Sequence, residues 1–199
     1  MKTKFLMVRH ATCAHIDDTL LGRRLDAPLD ANGERQARML AERLRGEAPL
    51  RVESSPRRRT LQTARAIAEG TRCDVRITPA LDELDFGDWS GRTFEQLQGE
   101  DGWRRWNRDR DAARTPAGID IRAVQQSIAQ HLAALAATCA GATLVLVTHA
   151  EIIRSLVLHC LHAPARDYAR FAVEPASITC FTSDADGLHV GTLNEVVAS

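Results

Sequence analysis

Two short apolar runs, far apart in the chain, are each followed within two residues by a histidine. The run 5–8 is followed by Arg9 and His10, and the run 143–148 is followed by His149. Continuous apolar runs of this length are typical of strands that are buried on both faces of a sheet. Ligands of parallel sheets bind beyond the carboxyl ends of the strands. If the two strands are neighbours, both imidazoles therefore project into one crevice.

The rest of the chain alternates between strand-like and helix-like patterns. Shorter strand patterns occupy 50–52, 75–77, 177–181 and 188–193. Apolar residues recur at helical spacing in 37–44, 61–68, 124–135 and 152–157. This order predicts an α/β fold, a three-layer α/β/α sandwich with a mostly parallel central sheet, in which residues 1–199 form a single domain. The irregular, charged segment 92–118 is expected to be a helical excursion over the site.

Composition excludes several classes of protein. The 199 residues carry 26 Lys+Arg and 26 Asp+Glu, so the formal net charge is +0, and 44% of the residues are hydrophobic. This balance excludes a disordered chain and offers no basic excess for a nucleic-acid backbone. No run approaches the roughly 20 apolar residues that span a bilayer, and the run 5–8 is shorter than the core of a signal peptide, which needs about 7–15 residues. We expect neither a nucleic-acid partner nor a membrane association.

The cysteines indicate a reducing compartment. They are odd in number, scattered, and never spaced as C-x-x-C: Cys13, Cys73, Cys139, Cys160 and Cys180. This pattern disfavours a disulfide framework and a structural zinc site. The expectation is a cytoplasmic protein without a bound metal.

Two arginines accompany the histidines. Arg9 precedes His10, and Arg59 lies in the first turn of the helix that follows Ser54-Ser55-Pro56. A guanidinium group beside a helix N-terminus forms an anion pocket, because both present N–H groups to phosphate oxygens. With His149, these residues suit phosphoryl transfer through a neutral imidazole whose pKa the arginines lower. Arginines aimed at phosphoryl oxygens contribute roughly 10³–10⁵ in rate in other phosphoryl-transfer enzymes.

Carboxylates in the segment 81–89 are candidates for protonating the leaving group. Glu83 lies between Leu81 and Leu84, where desolvation and a nearby phosphate would raise its pKa and keep it protonated. Composition and spacing do not distinguish it from Asp82, Asp85 or Asp88.

Five ordered segments carry a family pattern: 6–10, 26–37, 54–64, 81–91 and 145–154. The segment 54–64 reads S-S-P-x-x-R-x-x-Q-T-A, and 81–91 reads L-x-E-x-x-F-G-x-W-x-G. Together the segments resemble the histidine phosphatase superfamily, the phosphoglycerate mutase-like group. The segment 81–91 is most similar to the α-ribazole phosphatase branch.

The resemblance implies roles for five residues. It makes His10 the residue that becomes phosphorylated and Glu83 the proton donor. Arg9, Arg59 and His149 would bind the phosphoryl group. The implied reaction is a two-step hydrolysis through phosphohistidine that needs no metal and no cofactor. Water attacks in the second step, with the same carboxylate acting as base.

Expectations about the substrate are less specific. Gly22 and Arg23, in the loop after the first histidine, and Ala150, after the second, are candidate substrate contacts. The expected partner is a small phosphorylated metabolite, either α-ribazole 5'-phosphate or a range of such compounds. The oligomeric state stays open, with a homodimer as one option.

The chain departs from the family pattern near both histidines. Ala11, Thr12 and Ile16 replace the Gly, Glu and Asn that often follow the first histidine. Ala150 and Glu151 replace the Gly-Gly pair after the second. The extra methyl groups narrow the backbone's approach to an anion, and Glu151 would repel a phosphate if it pointed inward. These changes leave the five candidate catalytic positions filled.

Several interpretations stay open or favour a plain structural role. Trp103 and Trp106 either line a lid over the site or anchor the excursion to the domain. Arg57 and Arg58 are interpreted as a solvated helix face, and Cys13 as a small core residue.

Two other functions share the same residues. A cofactor-dependent phosphoglycerate mutase uses the same groups, although mutases of this family are longer. A degenerate member that only binds a phosphorylated ligand would explain the departures from the pattern.

Overall fold

The computed structural model describes residues 1–197 and shows an α/β fold around a seven-stranded sheet. The strands are β1 Thr3–Arg9, β2 Arg51–Ser54, β3 Val75–Ile77, β4 Thr143–Thr148, β5 Ser177–Asp184, β6 Gly187–Val190 and β7 Glu195–Val196. The helices are α1 Ala31–Leu44, α2 Arg58–Thr71, α3 Phe94–Gln98, α4 Asp101–Arg108, α5 Ile121–Thr138 and α6 Ala150–Cys160. Over the described range, no helix has both the length and the apolar character needed to cross a membrane.

The sheet is mixed but mostly parallel on the side that carries the histidines. Its order is β3-β2-β4-β1-β5-β6, and β7 pairs with β5. Strands β3, β2, β4 and β1, which are the first four in this order, are parallel to one another. Strand β5 runs antiparallel to its neighbours β1 and β6. In the pairing of β1 with β4, Arg9 lies opposite Thr148. The two strands are therefore neighbours, and the residues after them lie at the same edge.

Side chains of β1 alternate between two hydrophobic cores. Phe5 and Met7 pack in the core that contains α5 and α6. Leu6 and Val8 pack in the core that contains α1 and α2. Because helices cover both faces of the sheet, the central strands are apolar at successive positions. This arrangement confirms the predicted three-layer sandwich.

The charged segment 92–118 is helical only in its first part. It contains α3 and α4, and residues 109–118 form turns and irregular backbone. Trp106 is fully buried in the core, whereas Trp103 packs edge-on against Trp89, with ring centroids 5.4 Å apart. The excursion is thus attached to the domain by tryptophan side chains.

The C-terminal strands differ most from the prediction. The run 188–193 was expected as one strand, but β6 ends at Val190. Beyond it, Gly191 donates to the Cys180 carbonyl, and the Cys180 N–H donates to the Thr192 carbonyl. The chain therefore stays beside β5 with irregular pairing, and the short β7 follows. Apolar spacing does not encode such a change in pairing.

Candidate active site

The neighbouring strands bring the two histidines into contact. The His10 N–H donates to the Thr148 carbonyl at 3.0 Å, which fixes the end of β1 against the end of β4. The rings of His10 and His149 lie edge to face, with centroids 5.3 Å apart and planes inclined by 64°. Both side chains are buried. The two imidazoles are therefore adjacent, as the two strand ends predict, but only His10 lines the cavity; His149 is fully buried beside it.

Arg59 connects the two imidazoles. Its Nε donates to His10 Nε2, and its Nη2 donates to His149 Nδ1, each at 3.2 Å. Of the three remaining N–H groups, two donate to the carbonyls of Gly22 and Leu25, at 3.0 and 3.2 Å, and one Nη1–H is left. The guanidinium is thereby held in one orientation from the first turn of α2. These hydrogen bonds allow the guanidinium few other positions, so its placement beside the two imidazoles is preorganised.

The hydrogen bonds of His10 define its tautomer. Nδ1 lies 2.8 Å from the Ala11 carbonyl, which only accepts, so Nδ1 carries the proton. Nε2 then presents a lone pair toward Arg59. Burial lowers the pKa of His10 well below its usual value, and the charges of Arg59 and Arg9 add to this effect. The sequence pointed to the arginines alone, but burial is the larger cause. The imidazole is neutral at neutral pH and able to act as a nucleophile.

Side chains from α1 and α2 hold the loop after His10. The Ala11 N–H donates to Thr63 Oγ1 at 3.1 Å, and the Thr12 N–H donates to Gln36 Oε1 at 2.9 Å. Gly33 allows this approach, because a Cβ there would lie 1.9 Å from the Thr12 carbonyl oxygen. The small residue at this position thus lets α1 pack directly against the loop.

Glu83 lies at the same site, and its pKa is raised to near neutrality. Its Oε1 accepts the Leu84 N–H at 2.9 Å, and its Oε2 is 3.7 Å from His149 Nδ1. Burial raises the pKa of Glu83 to about 7, against the opposing charge of Arg59. A carboxylic acid of this pKa exchanges a proton readily near neutral pH.

The other carboxylates of this segment have different partners. Asp82 accepts two hydrogen bonds from Arg57, each at 2.8 Å, and Asp85 accepts a backbone N–H of the following turn at 2.9 Å. The side chain of Asp88 is 88% exposed. Of the four, and within residues 1–197, Glu83 alone lines the cavity at the histidines. The choice that spacing left open is thus decided in favour of Glu83 by position.

A chain of hydrogen bonds supports His149 from behind. Because Nδ1 accepts from Arg59, Nε2 carries the proton and donates to Ser55 Oγ at 2.8 Å. Ser55 Oγ donates in turn to Asp82 Oδ1 at 3.3 Å, and Arg57 holds the same carboxylate. The interpretation of Arg57 as part of a solvated face is therefore wrong. Sequence reasoning missed this series of hydrogen bonds. The adjacent serines of the S-S-P segment were the sequence feature that could have indicated it.

Arg9 and Arg58 occupy contrasting places. Arg9 lines the cavity, and its Nη1 donates to the Val173 carbonyl at 2.6 Å. Its buried Nε has no hydrogen-bond partner among the described residues. Arg9 thus lies at the cavity, whereas Arg58 is exposed, as expected.

The cavity has a volume of about 330 Å³. Gly22 and Ala150 line it, in agreement with their expected positions. Arg23 does not; its Nε donates to the Glu83 carbonyl at 2.5 Å and lies 3.4 Å from Asp82. Its place is behind the acid rather than beside a substrate. Trp103 also lines the cavity, so of the two tryptophans one faces the site and the other anchors the excursion.

A neutral imidazole, an arginine bound to two histidines and a carboxyl group with a raised pKa lie together at the cavity. Such a group of side chains suits transfer of a phosphoryl group through histidine, because arginines stabilise the phosphoryl oxygens and the acid supplies a proton. Fold and site together are of the class that suits histidine-based phosphoryl transfer.

Comparisons with known proteins agree with this class. A family model described as histidine phosphatase superfamily (branch 1) matches residues 5–196. Over 176 residues the chain is 34% identical to a probable phosphoglycerate mutase from Enterobacter sp. (strain 638), covering 87% of this chain and 81% of that protein. This chain belongs to the histidine phosphatase superfamily.

Solved structures of two phosphatases share the fold over nearly the whole chain. A phosphoserine phosphatase mutant from Entamoeba histolytica, in complex with phosphoserine, has a TM-score of 0.89 and 26% identity, with 98% of each chain covered. A mycobacterial glucosyl-3-phosphoglycerate phosphatase has a TM-score of 0.85 and 25% identity, with 100% of each chain covered.

Proposed function

We propose that the protein is a phosphomonoesterase that hydrolyses a small phosphorylated metabolite through a phosphohistidine on His10. In the first step His10 Nε2 attacks phosphorus, the bond to the leaving oxygen breaks, and Glu83 protonates that oxygen. In the second step water attacks phosphorus, Glu83 takes a proton from the water, and the P–N bond breaks. Phosphate leaves, and both side chains return to their first state. The reaction needs no metal.

The observation that carries this proposal is the orientation of His10. Its Nδ1 donates to the Ala11 carbonyl at 2.8 Å, so the Nε2 lone pair faces the anion-binding group Arg59. A lone pair held beside a guanidinium group is where a phosphoryl group has to bind for in-line attack. A histidine kept only for packing has no need of this alignment.

The remaining groups stabilise the phosphoryl oxygens. Arg9 and Arg59 offer guanidinium N–H groups, and their positive charges offset the charge of a phosphate dianion. Burial lowers the pKa of His149 well below its usual value when the site is empty. A bound dianion favours the protonated form, in which Nδ1 no longer accepts from Arg59 and instead donates to a phosphoryl oxygen. His149 would then bind the group that His10 attacks.

The proposal is tested with p-nitrophenyl phosphate and the variant His10→Ala. We expect hydrolysis that persists in EDTA and a loss of about 10⁴-fold or more in the variant, because the nucleophile is gone. Acid-labile label from ³²P-substrate should appear on the wild-type protein and not on the variant. Full activity in His10→Ala, or loss of wild-type activity in EDTA, would contradict the proposal.

A second candidate is a cofactor-dependent phosphoglycerate mutase, which the name of the Enterobacter relative supports. The two phosphatase structures favour hydrolysis. Incubation with 3-phosphoglycerate and 2,3-bisphosphoglycerate separates the two functions. Rapid formation of 2-phosphoglycerate with little phosphate release would favour the mutase, and tight binding without turnover would favour a ligand-binding relative.

The physiological substrate is a separate question. A panel of phosphorylated metabolites that includes α-ribazole 5'-phosphate and phosphoserine tests the expected substrate class. The cytoplasmic location and a homodimer stay predictions of the sequence.

A further inference from the structure

A second charged group lines the cavity beside the histidines. We call it the Glu151 cluster; it consists of Arg110, Glu151, Arg154 and Tyr168. Arg110 donates to one oxygen of Glu151, and Arg154 Nη1 lies 3.3 Å from the other. The side chains of these two arginines and Glu151 are 5%, 23% and 14% exposed, respectively. The function proposed above assigns no role to this cluster.

Arg110 is held rigidly in the Glu151 cluster. Its guanidinium carbon lies 3.3 Å from the centroid of the Tyr168 ring, a cation–π contact. Its Nη2 lies 3.3 Å from Asn107 Oδ1, and the same amide oxygen accepts from the Tyr168 hydroxyl at 2.9 Å. Arg110 is therefore a fixed positive group in the cavity wall.

Two N–H groups of the cluster have no partner within the described chain, although both are buried: Nε of Arg110 and Nε of Arg154. Buried guanidinium N–H groups are normally hydrogen-bonded. Burial shields these two N–H groups from the cavity, so they add no donors toward a ligand, and Glu151 is the polar group of the cluster on which the selectivity argument rests.

Glu151 is charged in this environment. Burial alone raises its pKa, but Arg110 and Arg154 outweigh burial and hold the pKa below its usual value. The carboxylate therefore takes the position between two guanidinium groups that a carboxylate of a ligand would otherwise take. Glu151 is also near enough to Glu83 to raise the pKa of that acid, as a smaller addition to the effect of burial.

We propose that Glu151 determines specificity by selecting against leaving groups that carry a carboxylate. Its own carboxylate satisfies Arg110 and Arg154, so a second carboxylate in the cavity meets a like charge and must lose water without gaining these partners. A neutral hydroxyl of the leaving group is accommodated, since it carries no charge that Glu151 repels and can donate to the Glu151 carboxylate. The proposal rests on the proposed function and names its substrate class: phosphate esters of neutral, hydroxylated alcohols.

A matched pair of substrates tests the proposal. Glycerol 2-phosphate and 2-phosphoglycerate differ in one group, a hydroxymethyl against a carboxylate. We expect the wild-type protein to favour glycerol 2-phosphate by tenfold or more in kcat/KM. In Glu151→Gln, which keeps the shape and removes the charge, we expect this ratio to fall by about tenfold, which equals about 1.4 kcal/mol.

Three controls make the result specific. Glu100→Gln removes a carboxylate that pairs with Arg92 at 2.9 Å outside the cavity, and the ratio should stay at its wild-type value. Glu151→Gln is expected to raise the relative kcat/KM for 2-phosphoglycerate. In the double variant Glu151→Gln/Arg154→Gln this rise should disappear, because one of the two guanidinium groups that Glu151 paired with is absent. Thermal unfolding of each variant shows whether it is folded before kinetics are compared.

Binding to His10→Ala separates this proposal from the proposed function. Calorimetry with the two phosphate esters, on His10→Ala and on His10→Ala/Glu151→Gln, gives the same preference without turnover. If the wild-type protein lacks phosphatase activity but the binding ratio shifts as expected, the proposed function fails and the role of Glu151 stands. A preference of the wild-type cavity for 2-phosphoglycerate, or a ratio unchanged in Glu151→Gln, would overturn the role of Glu151.

Discussion

Two groups of polar side chains at the cavity are built in different ways. In the histidine cluster, which consists of Arg9, His10, Arg59, Glu83 and His149, most of these side chains lie at strand ends or in the first turn of a helix. Backbone carbonyls and N–H groups hold several of them. The Glu151 cluster is held by side chains: an ion pair, a cation–π contact and a shared amide oxygen.

This difference indicates in which of the two clusters a side chain can be replaced without displacing the reacting atoms. Groups that are positioned by backbone depend on the sheet and helices, and their replacement affects the arrangement of reacting atoms. Groups that are positioned by other side chains can be replaced without moving the reacting atoms, although removal of one partner of a buried ion pair lowers stability. We therefore expect the histidine cluster to control kcat and the Glu151 cluster to control the preference among substrates.

The largest expected effect compares arginines of the two clusters. Arg59→Met removes the guanidinium that contacts both histidines, and we expect kcat to fall by roughly 10³-fold or more, as for arginines in other phosphoryl-transfer sites. Arg154→Gln should change KM for a given substrate by a few-fold and leave kcat within about tenfold. Steady-state kinetics of both variants gives the comparison.

Arg58→Gln is the matched control for Arg59→Met, because Arg58 is the preceding residue in the same helix and is exposed. It should retain wild-type kinetics. If Arg154→Gln lowers kcat as strongly as Arg59→Met does, the division into two clusters is wrong.

A smaller effect is expected from the pH dependence of Glu83. Its pKa is raised by burial from 4.5 to about 7 in the folded protein, so its contribution to stability is fully present below pH 4.5 and is lost as the pH rises through 7. Glu83→Gln removes the charge of the carboxylate. The difference in the free energy of unfolding between the variant and the wild-type protein should therefore be more favourable to the variant at pH 8 than at pH 4, by on the order of 1–3 kcal/mol. Urea unfolding at the two pH values measures this difference.

The same titration affects catalysis. Since the leaving group needs the protonated acid, kcat/KM of the wild-type protein for an alkyl phosphate should fall above about pH 7. Glu83→Gln should lose this pH dependence together with most of the activity. Asp88→Asn, at an exposed position of the same segment, should show neither effect. If Asp88→Asn stabilised the protein at pH 8 as much as Glu83→Gln does, the titration of Glu83 would not be the cause of the pH-dependent stability.

The histidine cluster was predictable from the sequence because its residues follow strongly patterned elements. Continuous apolar runs identified β1 and β4, and the residues at their ends identified His10 and His149. The identity of the acid among four carboxylates was not predictable from spacing, because it depends on which side chain packs into the cavity. The structure answers that question through burial of Glu83 and the pairing of Asp82 with Arg57.

The Glu151 cluster was less accessible to sequence reasoning. Glu151 was noted only as a departure beside the second histidine, and its partner Arg110 lies in irregular backbone of the charged excursion. An arginine in such a segment has no periodic pattern that indicates which way it points. Its burial arises from stacking on Tyr168, a contact between residues 58 positions apart in the sequence that only the tertiary structure provides.

The smallest expected effect concerns the support of His149. In Ser55→Ala the imidazole Nε2–H loses its acceptor, which lies at 2.8 Å in the wild-type protein. We expect kcat to fall by about tenfold, because an unpaired buried N–H costs about 1–3 kcal/mol and frees the ring to reorient. The neighbour Ser54 is an apt control: it is equally buried, and its hydroxyl donates to the Ser55 carbonyl rather than to the histidine. If Ser54→Ala and Ser55→Ala lower kcat equally, the loss is one of packing, whereas a loss confined to Ser55→Ala, with a shifted pH profile, shows that the histidine cluster extends through Ser55 to Asp82.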